Sequence, residues 1–388
     1  MEVRFAEPSY REQAIRLWTY CFSMSKETAE EIVNSIFKPD ICLGAFIEGN
    51  MAACLYILPY EMFFYGNSVK MAGIGGVATL PEYRYHNCAR NLLVKSLEIM
   101  KQNSQIFSAL GPFSYAFYRK CGWELCYEYK EYKLNIDDFK RFGSGSGKYR
   151  PMEKTDMSAV MSLYSSYARR YNGMLNRSQA QWERYMPREG SNDRRYVFID
   201  KNDNIQGYIF FRISDGKFHV NELIYSSPEV RNELFRFIYL HSAQTGEVVW
   251  RAPSDDNLIL MLDNPRRDIK IVPGMMARIV DLQNVLLSYP FETEYPKSFV
   301  IKVDDPWAPW NDGCFEVSID GSRVDVRKIQ NSEWDLQCSI GTLTQIIMGY
   351  ININQAVDTG KLQLTDHNVL KKLQDVFKPG VTFLNDSF

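Results

Sequence analysis

Several patterns that would assign this chain of 388 residues to a specialised class of protein are absent from it. Its eight cysteines include no Cys-x-x-Cys pair and its four histidines are dispersed, so no zinc-binding spacing is present. The longest apolar run, residues 51–58, is far shorter than the roughly 20 residues that a membrane-spanning helix requires. No basic segment followed by an apolar one, the pattern of a secretory signal peptide, opens the sequence. A cytoplasmic protein without a metal is expected.

An excess of charge of one sign is also missing. The 45 Lys and Arg residues against 47 Asp and Glu residues give a formal net charge of -2. This balance provides no general electrostatic footprint for nucleic acid or for an anionic membrane, so neither is expected as a partner. The composition, 45% hydrophobic and 24% charged, is typical of a globular protein, and the length suffices for about two to four domains.

The order of predicted elements divides the chain into three units. Residues 1–142 contain a strand and helix, then hairpins, then a helix near 87–101 and a strand near 106–110. Residues 143–285 repeat part of this order, with residues 274–280 expected to close the unit, and residues 286–388 combine strands with later helices. The expected fold class is therefore α/β (α+β), with two similar mixed-sheet domains in tandem and a third α/β domain.

A glycine-rich run at residues 143–148, Gly-Ser-Gly-Ser-Gly-Lys, is interpreted as a linker. It resembles a phosphate-binding P-loop only superficially. Phe142 stands where the first glycine belongs, Tyr149 stands where Ser or Thr belongs, and no apolar-periodic helix follows. We reject that motif.

A candidate binding site lies where a predicted strand ends at Thr79 and a predicted helix begins near Asn87. The N–H groups in the first turn of a helix have no partners within the helix, and they meet the positive end of its dipole. Such a corner binds phosphate without a metal, and Arg84 and Arg90 add charge-assisted bonds. An ordinary strand–helix corner is the alternative interpretation.

Residues 84–89 resemble the acyl-CoA loop of the GNAT superfamily of N-acetyltransferases, Arg/Gln-x-x-Gly-x-Gly/Ala after a strand. Arg84 and Ala89 match, whereas Asn87 occupies the first glycine position, where Asn tolerates a positive φ. The resemblance implies acetyl-CoA as cosubstrate. For His86 the alternative interpretation is an exposed loop position, and for Cys88 it is a packing role. The implied cofactor-binding residues are Val77, Ala78, Thr79, Arg84, Tyr85, His86, Asn87, Cys88, Ala89, Arg90 and Ser114.

A second motif follows the next predicted strand. Residues 114–123, Ser-Tyr-Ala-Phe-Tyr-Arg-Lys-Cys-Gly-Trp, resemble the Phe-Tyr-x-x-x-Gly-aromatic motif of the same superfamily. The resemblance implies that Tyr118 protonates the departing coenzyme A thiolate, which suits a phenol with a pKa of about 10. A core tyrosine packed beside Phe117 is the alternative.

The whole chain resembles the enhanced-intracellular-survival (Eis) family of bacterial N-acetyltransferases. Residues 274–281 resemble the end of that family's middle domain, and residues 304–315 resemble the start of its carrier-like domain. The resemblance implies a catalytic GNAT domain at 1–142, a degenerate GNAT-like domain at 143–285 and a sterol-carrier-protein-like domain at 286–388. It also implies a homo-oligomer, with a hexamer as the assembly typical of the family.

The chain end, Phe388, is the other implied catalytic group. In the resembled family the terminal carboxylate is buried in the active site and accepts the proton of the incoming amine. Its ordinary pKa is about 3.5, and desolvation raises it. Chain termini are usually frayed, so anchoring of the tail by this apolar residue is the alternative.

The expected activity is direct acetyl transfer from acetyl-CoA to a primary amine, either of a cationic small molecule (aminoglycoside or polyamine-like) or of a lysine side chain. Family members that act on aminoglycosides carry an aromatic residue where this chain has Gly76, so a different pocket shape is expected. Asp386 is a candidate for attracting a cationic amine, with a solvated surface role as the alternative. The competing function is that of a non-catalytic assembly or lipid-carrier protein with degenerate acetyltransferase domains.

Overall fold

The computed structural model describes residues 1–186, 191–330, 333–374 and 376–388. Three groups of elements follow one another along the chain. The first group consists of β1 (Glu2–Phe5), α1 (Arg11–Cys21), α2 (Lys26–Ile36), β2 (Cys42–Ile47), β3 (Asn50–Phe64), β4 (Asn67–Thr79), α3 (Cys88–Gln102), β5 (Phe107–Leu110), α4 (Tyr115–Arg119) and β6 (Glu124–Leu125).

The second group consists of β7 (Glu128–Asn135), β8 (Lys148–Pro151), α5 (Met157–Ala168), α6 (Gln179–Arg184), β9 (Asp193–Ile199), β10 (Ile205–Ser214), β11 (Lys217–Tyr225), α7 (Pro228–Tyr239), β12 (Glu247–Pro253), β13 (Asp268–Pro273) and β14 (Met276–Ile279). The third consists of α8 (Leu282–Ser288), β15 (Lys297–Asp304), β16 (Gly313–Asp320), β17 (Arg323–Ile329), β18 (Leu336–Ser339), α9 (Ile340–Ile347), α10 (Ile353–Asp358), β19 (Leu362–Leu364) and α11 (His367–Gln374).

The first sheet has the strand order β1-β2-β3-β4-β5-β14-β6. Strands β4 and β5 pair in parallel only as far as Ile74 opposite Leu110, and β4 then continues to Thr79 paired with β3 alone. The register with β3 shifts here, because Gly76 and Val77 of β4 stand opposite the single residue Leu55, so β4 carries a bulge beyond its pairing with β5. The sheet therefore opens between β4 and β5.

Helix α3 covers one face of the first sheet because its apolar residues recur at helical spacing. Leu92, Leu93, Leu97 and Met100, which the spacing places on one face, are all buried. Helices α1 and α2 cover the opposite face, where they form a separate apolar cluster with alternate residues of β3. The predicted mixed α/β layering of this part of the chain is confirmed.

The second sheet repeats this arrangement, with the order β13-β7-β12-β11-β10-β9-β8. Its strands β11 and β12 pair in parallel only as far as Val220 opposite Trp250. The register between β10 and β11 shifts between Phe210 and Phe211, so β11 also carries a bulge where it leaves its parallel partner. Both sheets thus open beyond a short parallel pairing.

Two strands cross between the groups. Strand β7 lies before residue 142 yet pairs with β12 and β13 in the second sheet. Strand β14 comes last in the second group along the chain but inserts between β5 and β6 of the first sheet, a crossing that the expected order of elements did not include. The insertion satisfies the free backbone edge of β5, which local sequence patterns do not reveal.

The third sheet has the order β17-β16-β15-β18-β19. Every residue of α9 is buried, and Gln345 donates a side-chain hydrogen bond to the carbonyl of Leu125 in β6. Arg278 of β14 donates two hydrogen bonds of 2.7 Å to the Asp305 carboxylate, with both side chains fully buried. These contacts join the third group to the first. Within the described ranges no helix is both long enough and apolar enough to cross a bilayer.

The glycine-rich run before β8 binds an anion supplied by the chain itself. The backbone N–H groups of Ser144, Gly145 and Ser146 donate to one carboxylate oxygen of Glu233 in α7, at 2.7, 3.0 and 3.3 Å. The hydroxyl of Tyr149 donates to the other oxygen at 2.9 Å. These donors are satisfied by a carboxylate of α7.

Candidate functional site

A cavity of about 870 Å³ lies at the opening of the first sheet, between the end of β4 and the start of α3. Three cations, Arg84, Arg90 and Lys120, line it, and no carboxylate is among its described lining residues. The surroundings therefore favour an anionic ligand. Of the predicted binding residues, those in the lining are Val77, Ala78, Thr79, Arg84, Tyr85, Asn87, Cys88, Ala89 and Arg90.

The start of α3 supplies hydrogen-bond donors to this cavity. Asn87 precedes the helix with φ 59° and ψ 17°, the left-handed conformation in which an asparagine can replace a glycine. Its side chain caps no N–H group of the helix within the described part of the chain. The first-turn donors therefore face the cavity without a partner from this cap, which is the arrangement that binds phosphate.

The remaining residues of the loop have different surroundings. His86 is exposed and does not line the cavity, as its alternative interpretation stated. The Cys88 thiol is buried and donates a weak hydrogen bond to the Tyr83 carbonyl at 3.8 Å, and burial raises its pKa, so it packs rather than reacts. Ser114 caps α4 by accepting a hydrogen bond from the Phe117 N–H at 3.4 Å, and it also lies outside the lining.

Tyr118 lies behind the cavity wall. It is buried in the same apolar cluster as Ile74 and Leu110, the last paired residues of β4 and β5. The ring of Phe117, which lines the cavity, meets the Tyr118 ring edge-on at 5.1 Å. Burial raises the pKa of Tyr118, and its hydroxyl makes no hydrogen bond to any residue that the structure describes. The phenol therefore holds its proton beside the opening of the sheet.

The chain end lies on β4 at the same opening. Alternate glycines of this strand make room for it, since a methyl group on Gly73 would stand 2.6 Å from the Phe388 ring. A methyl group on Gly75 would stand 3.2 Å from the terminal carboxyl carbon. Because Gly75 follows the last residue of β4 that pairs with β5, the carboxylate lies where the two strands part.

Phe388 and Tyr118 approach this opening from opposite faces of the first sheet. Phe388 packs against the cluster under α1 and α2, which contains Tyr56 and Leu58. Tyr118 belongs to the cluster under α3, which contains Ile57, the residue between them. Successive side chains of a strand point to opposite faces, so the two groups are separated by the thickness of the sheet except where β4 and β5 diverge.

Gly76 shapes the α1 face of the opening. It has φ +57°, and a methyl group there would lie 2.4 Å from the Trp18 ring and 2.8 Å from the Tyr56 ring. The space that a side chain at this position would take is therefore filled by the indole of α1. Sequence patterns gave no indication of Trp18 as part of the site, because its contact with β4 exists only in the folded chain.

A second cavity, of about 640 Å³, adjoins the Phe388 side of the sheet through Tyr60. Its lining carries two carboxylates, Asp40 and Glu61, and three cations, Lys38, Lys70 and Arg177. Glu61 accepts hydrogen bonds from the Ser68 hydroxyl and the Asn176 amide, so its charge is partly compensated. This cavity is the more polar of the two, and its lining residue Tyr60 contacts the Phe388 ring.

Asp386 does not face a cationic ligand. It is buried and accepts a hydrogen bond of 2.9 Å from Arg177, and the Tyr185 hydroxyl donates to it as well. The proposal that it attracts an amine, like the solvated alternative, is therefore wrong, because its charge is neutralised inside the protein. Arg177, for which no sequence motif gave an indication, holds this part of the tail.

Comparisons with known proteins identify the three parts of the chain. Residues 2–126 match an acetyltransferase (GNAT) domain, residues 173–279 match a second acetyltransferase (GNAT) domain, and residues 282–385 match a sterol carrier protein domain. An uncharacterized N-acetyltransferase of Streptomyces avermitilis is 20% identical over 339 residues, which is 81% of either chain.

Solved structures extend the similarity to the entire chain. A probable N-acyltransferase of Enterococcus faecalis superposes with a TM-score of 0.91 at 25% identity, covering 100% of this chain and 99% of the other. Eis1 from Mycobacterium abscessus superposes with a TM-score of 0.82 at 17% identity, covering 100% of both chains, which shows a shared fold.

The chain thus consists of two GNAT acetyltransferase domains and a C-terminal sterol carrier protein domain, as expected. It is an acyltransferase enzyme of the GNAT type, which the matches support over a non-catalytic carrier. Enzymes of this type generally use acetyl-CoA, and the cationic cavity with its free helix N-terminus fits a ligand that carries phosphates. The described residues contain no group of three or more His, Cys, Asp or Glu side chains placed to hold a metal ion.

Proposed function

We propose that this enzyme transfers acetyl from acetyl-CoA to a primary amine by direct attack. The observation that carries the proposal is the position of the Phe388 carboxylate on Gly75, where β4 leaves β5. The carboxylate lies beside the part of β4 that leads into the cationic cavity. The proposed base is therefore next to the proposed acetyl-CoA site. The acceptor is an aminoglycoside, a polyamine-like molecule or a lysine side chain.

The acetyl-CoA site is formed by the cavity at the start of α3. The backbone of Val77 and Thr79 binds the pantetheine arm and polarises the thioester carbonyl, as an oxyanion hole does. Residues 84–90 hold the pyrophosphate with their N–H groups and with the guanidinium groups of Arg84 and Arg90. When bound, acetyl-CoA supplies an acyl group activated as a thioester.

The acceptor amine enters from the second cavity, which shares Tyr60 with the surroundings of Phe388. An amine is a nucleophile only when it is neutral, so a proton must leave it. The terminal carboxylate, which lies beside Gly75 of β4, accepts this proton. Trp18 fills the place beside Gly76, so this position offers no space to the acceptor.

Tyr118 supplies a proton to the sulfur on the other face of the sheet. Its raised pKa keeps the phenol protonated, and its hydroxyl is not engaged by any described residue. A protonated phenol next to a departing thiolate is the correct state for a general acid.

We also propose that the enzyme is Eis-like, that it works in the cytoplasm and that it forms a homo-oligomer, with the hexamer as the first assembly to test by light scattering. The match of the whole fold to Eis1 of Mycobacterium abscessus supports the Eis-like assignment. The proposed functional division is a catalytic domain at 1–142, a degenerate domain at 143–285 and a carrier-like domain at 286–388, with β7 and β14 crossing between the first two sheets.

A thiol-release assay with acetyl-CoA and three amines, an aminoglycoside, a polyamine and a lysine peptide, tests the proposal. We expect turnover with at least one amine, and its loss in Tyr118→Phe and after deletion of Phe388 while acetyl-CoA binding is retained. Phe388→Ala serves as the matched control for the deletion, because it keeps a terminal carboxylate at the same residue. A chain that does not bind acetyl-CoA, or a deletion variant as active as the parent, contradicts the proposal.

A further inference from the structure

The opening of the second sheet resembles the opening of the first in its backbone geometry. Strand β11 leaves β12 after Val220, and Asn221 is the extra residue of the bulge, since Phe211 pairs with Val220 and Phe210 with Glu222. In the first domain the corresponding bulged strand, β4, borders the cationic cavity. A ligand site is therefore expected at Asn221 and Glu222 by the geometry of the sheet alone.

The C-terminal tail of the same chain occupies this second opening. The Asn385 amide donates hydrogen bonds of 3.2 Å to the Asn221 carbonyl and to the Glu222 carboxylate. Phe383 is buried and meets the Tyr171 ring at 5.8 Å, edge-on. The space left between β11, β12 and the tail is only about 10 Å³, too little for another ligand.

Buried charges hold the tail in this position. The guanidinium of Arg177 donates to both Glu222 oxygens at 3.1 and 2.6 Å and to Asp386 at 2.9 Å. Its side chain is fully buried between the rings of Tyr164 and Tyr185, whose centroids lie 4.2 and 4.0 Å from the guanidinium carbon. Removing one partner of a buried ion pair destabilises the folded protein, because the remaining charge loses its compensation. Departure of Asp386 from Arg177 is therefore costly.

This anchoring bears on the first site because of chain length. Asp386 is two residues from Phe388, and two extended residues span at most about 7 Å. Residue 388 is consequently held within about 7 Å of Asp386, which Arg177 fixes in the second domain. Further upstream, the tail is tied by Asn172, which donates to the Val381 carbonyl at 2.8 Å and accepts from the Phe383 N–H at 3.2 Å.

We propose that the opening between β11 and β12 is a binding site for the chain's own residues 383–386, and that Arg177, together with Glu222, is a positioning residue for the Phe388 carboxylate. In this arrangement the degenerate second domain binds a peptide where the first domain binds its acyl donor. The positioning half of this inference rests on the proposed role of Phe388 as base, whereas the binding half does not.

The binding half is tested with full-length Asn385→Ala and Asp386→Asn variants, using Asn202→Ala, an exposed position of the second domain, as the control. A carboxypeptidase that removes C-terminal aromatic residues reports on tail release, because it reaches Phe388 only when the tail leaves its site. We expect Phe388 to be released about tenfold faster in both variants, because each loses hydrogen bonds that hold the tail. Release at the parental rate in both variants overturns the binding site.

The positioning half is tested by the kinetics of the same variants. We expect kcat to fall about tenfold in these variants, with the KM for acetyl-CoA unchanged. We also expect the kcat of Arg177→Lys, which retains a charge, to lie between those of Arg177→Met and the parent. Faster release of Phe388 with unchanged kcat overturns the positioning role. Deletion of Phe388 in the parent chain separates the two failures, since full activity after deletion contradicts the base assignment while the release rates still decide the binding site.

Discussion

The ring of Phe388 lies against the ring of Tyr60, with their centroids 5.1 Å apart, although the two residues are separated by almost the whole sequence. The contact exists because residue 73 of β4 is glycine, whose absent side chain leaves room for the Phe388 ring. The position of the terminal carboxylate therefore depends on a residue type in a buried strand of the first domain.

Gly73→Ala is expected to lower kcat by about 100-fold, the penalty associated with displacing a reacting group by about 1 Å. The new methyl group would stand 2.6 Å from the Phe388 ring and 2.8 Å from Tyr60, so the chain end must shift. The KM for acetyl-CoA should change little, because the part of β4 that lines the donor cavity begins at Val77. Gly246→Ala is the control, since no described heavy atom lies within 4 Å of its added methyl group. An unchanged kcat in Gly73→Ala would contradict the assigned position.

Tyr118→Phe is expected to lower kcat by roughly 100- to 10,000-fold, the range for loss of a general acid. Burial raises the pKa of Tyr118, so the phenol stays protonated through and beyond its ordinary value of about 10. The kcat of the parent should therefore not decline near pH 10 through ionisation of Tyr118. Parent and variant should have pH profiles of the same shape in this range. Tyr115→Phe is the control. It removes a hydroxyl from the same helix, but this hydroxyl is already engaged with the Gly274 carbonyl and takes no part in the proposed proton transfer.

Asn87→Gly and Asn87→Ala are expected to act in opposite ways on acetyl-CoA binding. Asn87 has φ 59°, a conformation that costs alanine about 1–2 kcal/mol and costs glycine nothing. We expect Asn87→Ala to raise the KM for acetyl-CoA roughly 5- to 30-fold, whereas Asn87→Gly leaves it unchanged or lowers it. Equal KM values for the two variants would show that the loop does not need this backbone conformation.

Glu233→Gln is expected to destabilise the protein by about 1–3 kcal/mol at neutral pH. Burial disfavours the charged form of Glu233, but the hydrogen bonds from Ser144, Tyr149 and Ser146 outweigh it and lower its pKa. A lowered pKa stabilises the fold above the ordinary value of about 4.3, and this contribution is lost as pH falls through the folded-state value. Thermal unfolding of parent and variant should therefore converge as the pH falls below the lowered pKa of Glu233 in the folded state. Glu98→Gln, which removes an exposed ion pair with Lys95, should show no such difference.

Part of the site was predictable because it is encoded locally. The end of β4, the left-handed Asn87 and the start of α3 follow one another within a few residues, and hydrophobic periodicity gives the buried face of α3. Tyr118 follows β5 in a short motif for the same reason. Local backbone preferences and the spacing of apolar residues were sufficient for these features.

The sequence by itself determined the three-part α/β architecture and the strand–helix corner between β4 and α3, since each depends on residues that are neighbours along the chain. Only the tertiary structure decided that β14 enters the first sheet, that Arg177 neutralises Asp386 and that Phe388 lies on Gly73 and Gly75. These contacts join residues more than 100 positions apart, and their stability comes from burial, shape and charge pairing between surfaces that form only after the separate sheets have folded.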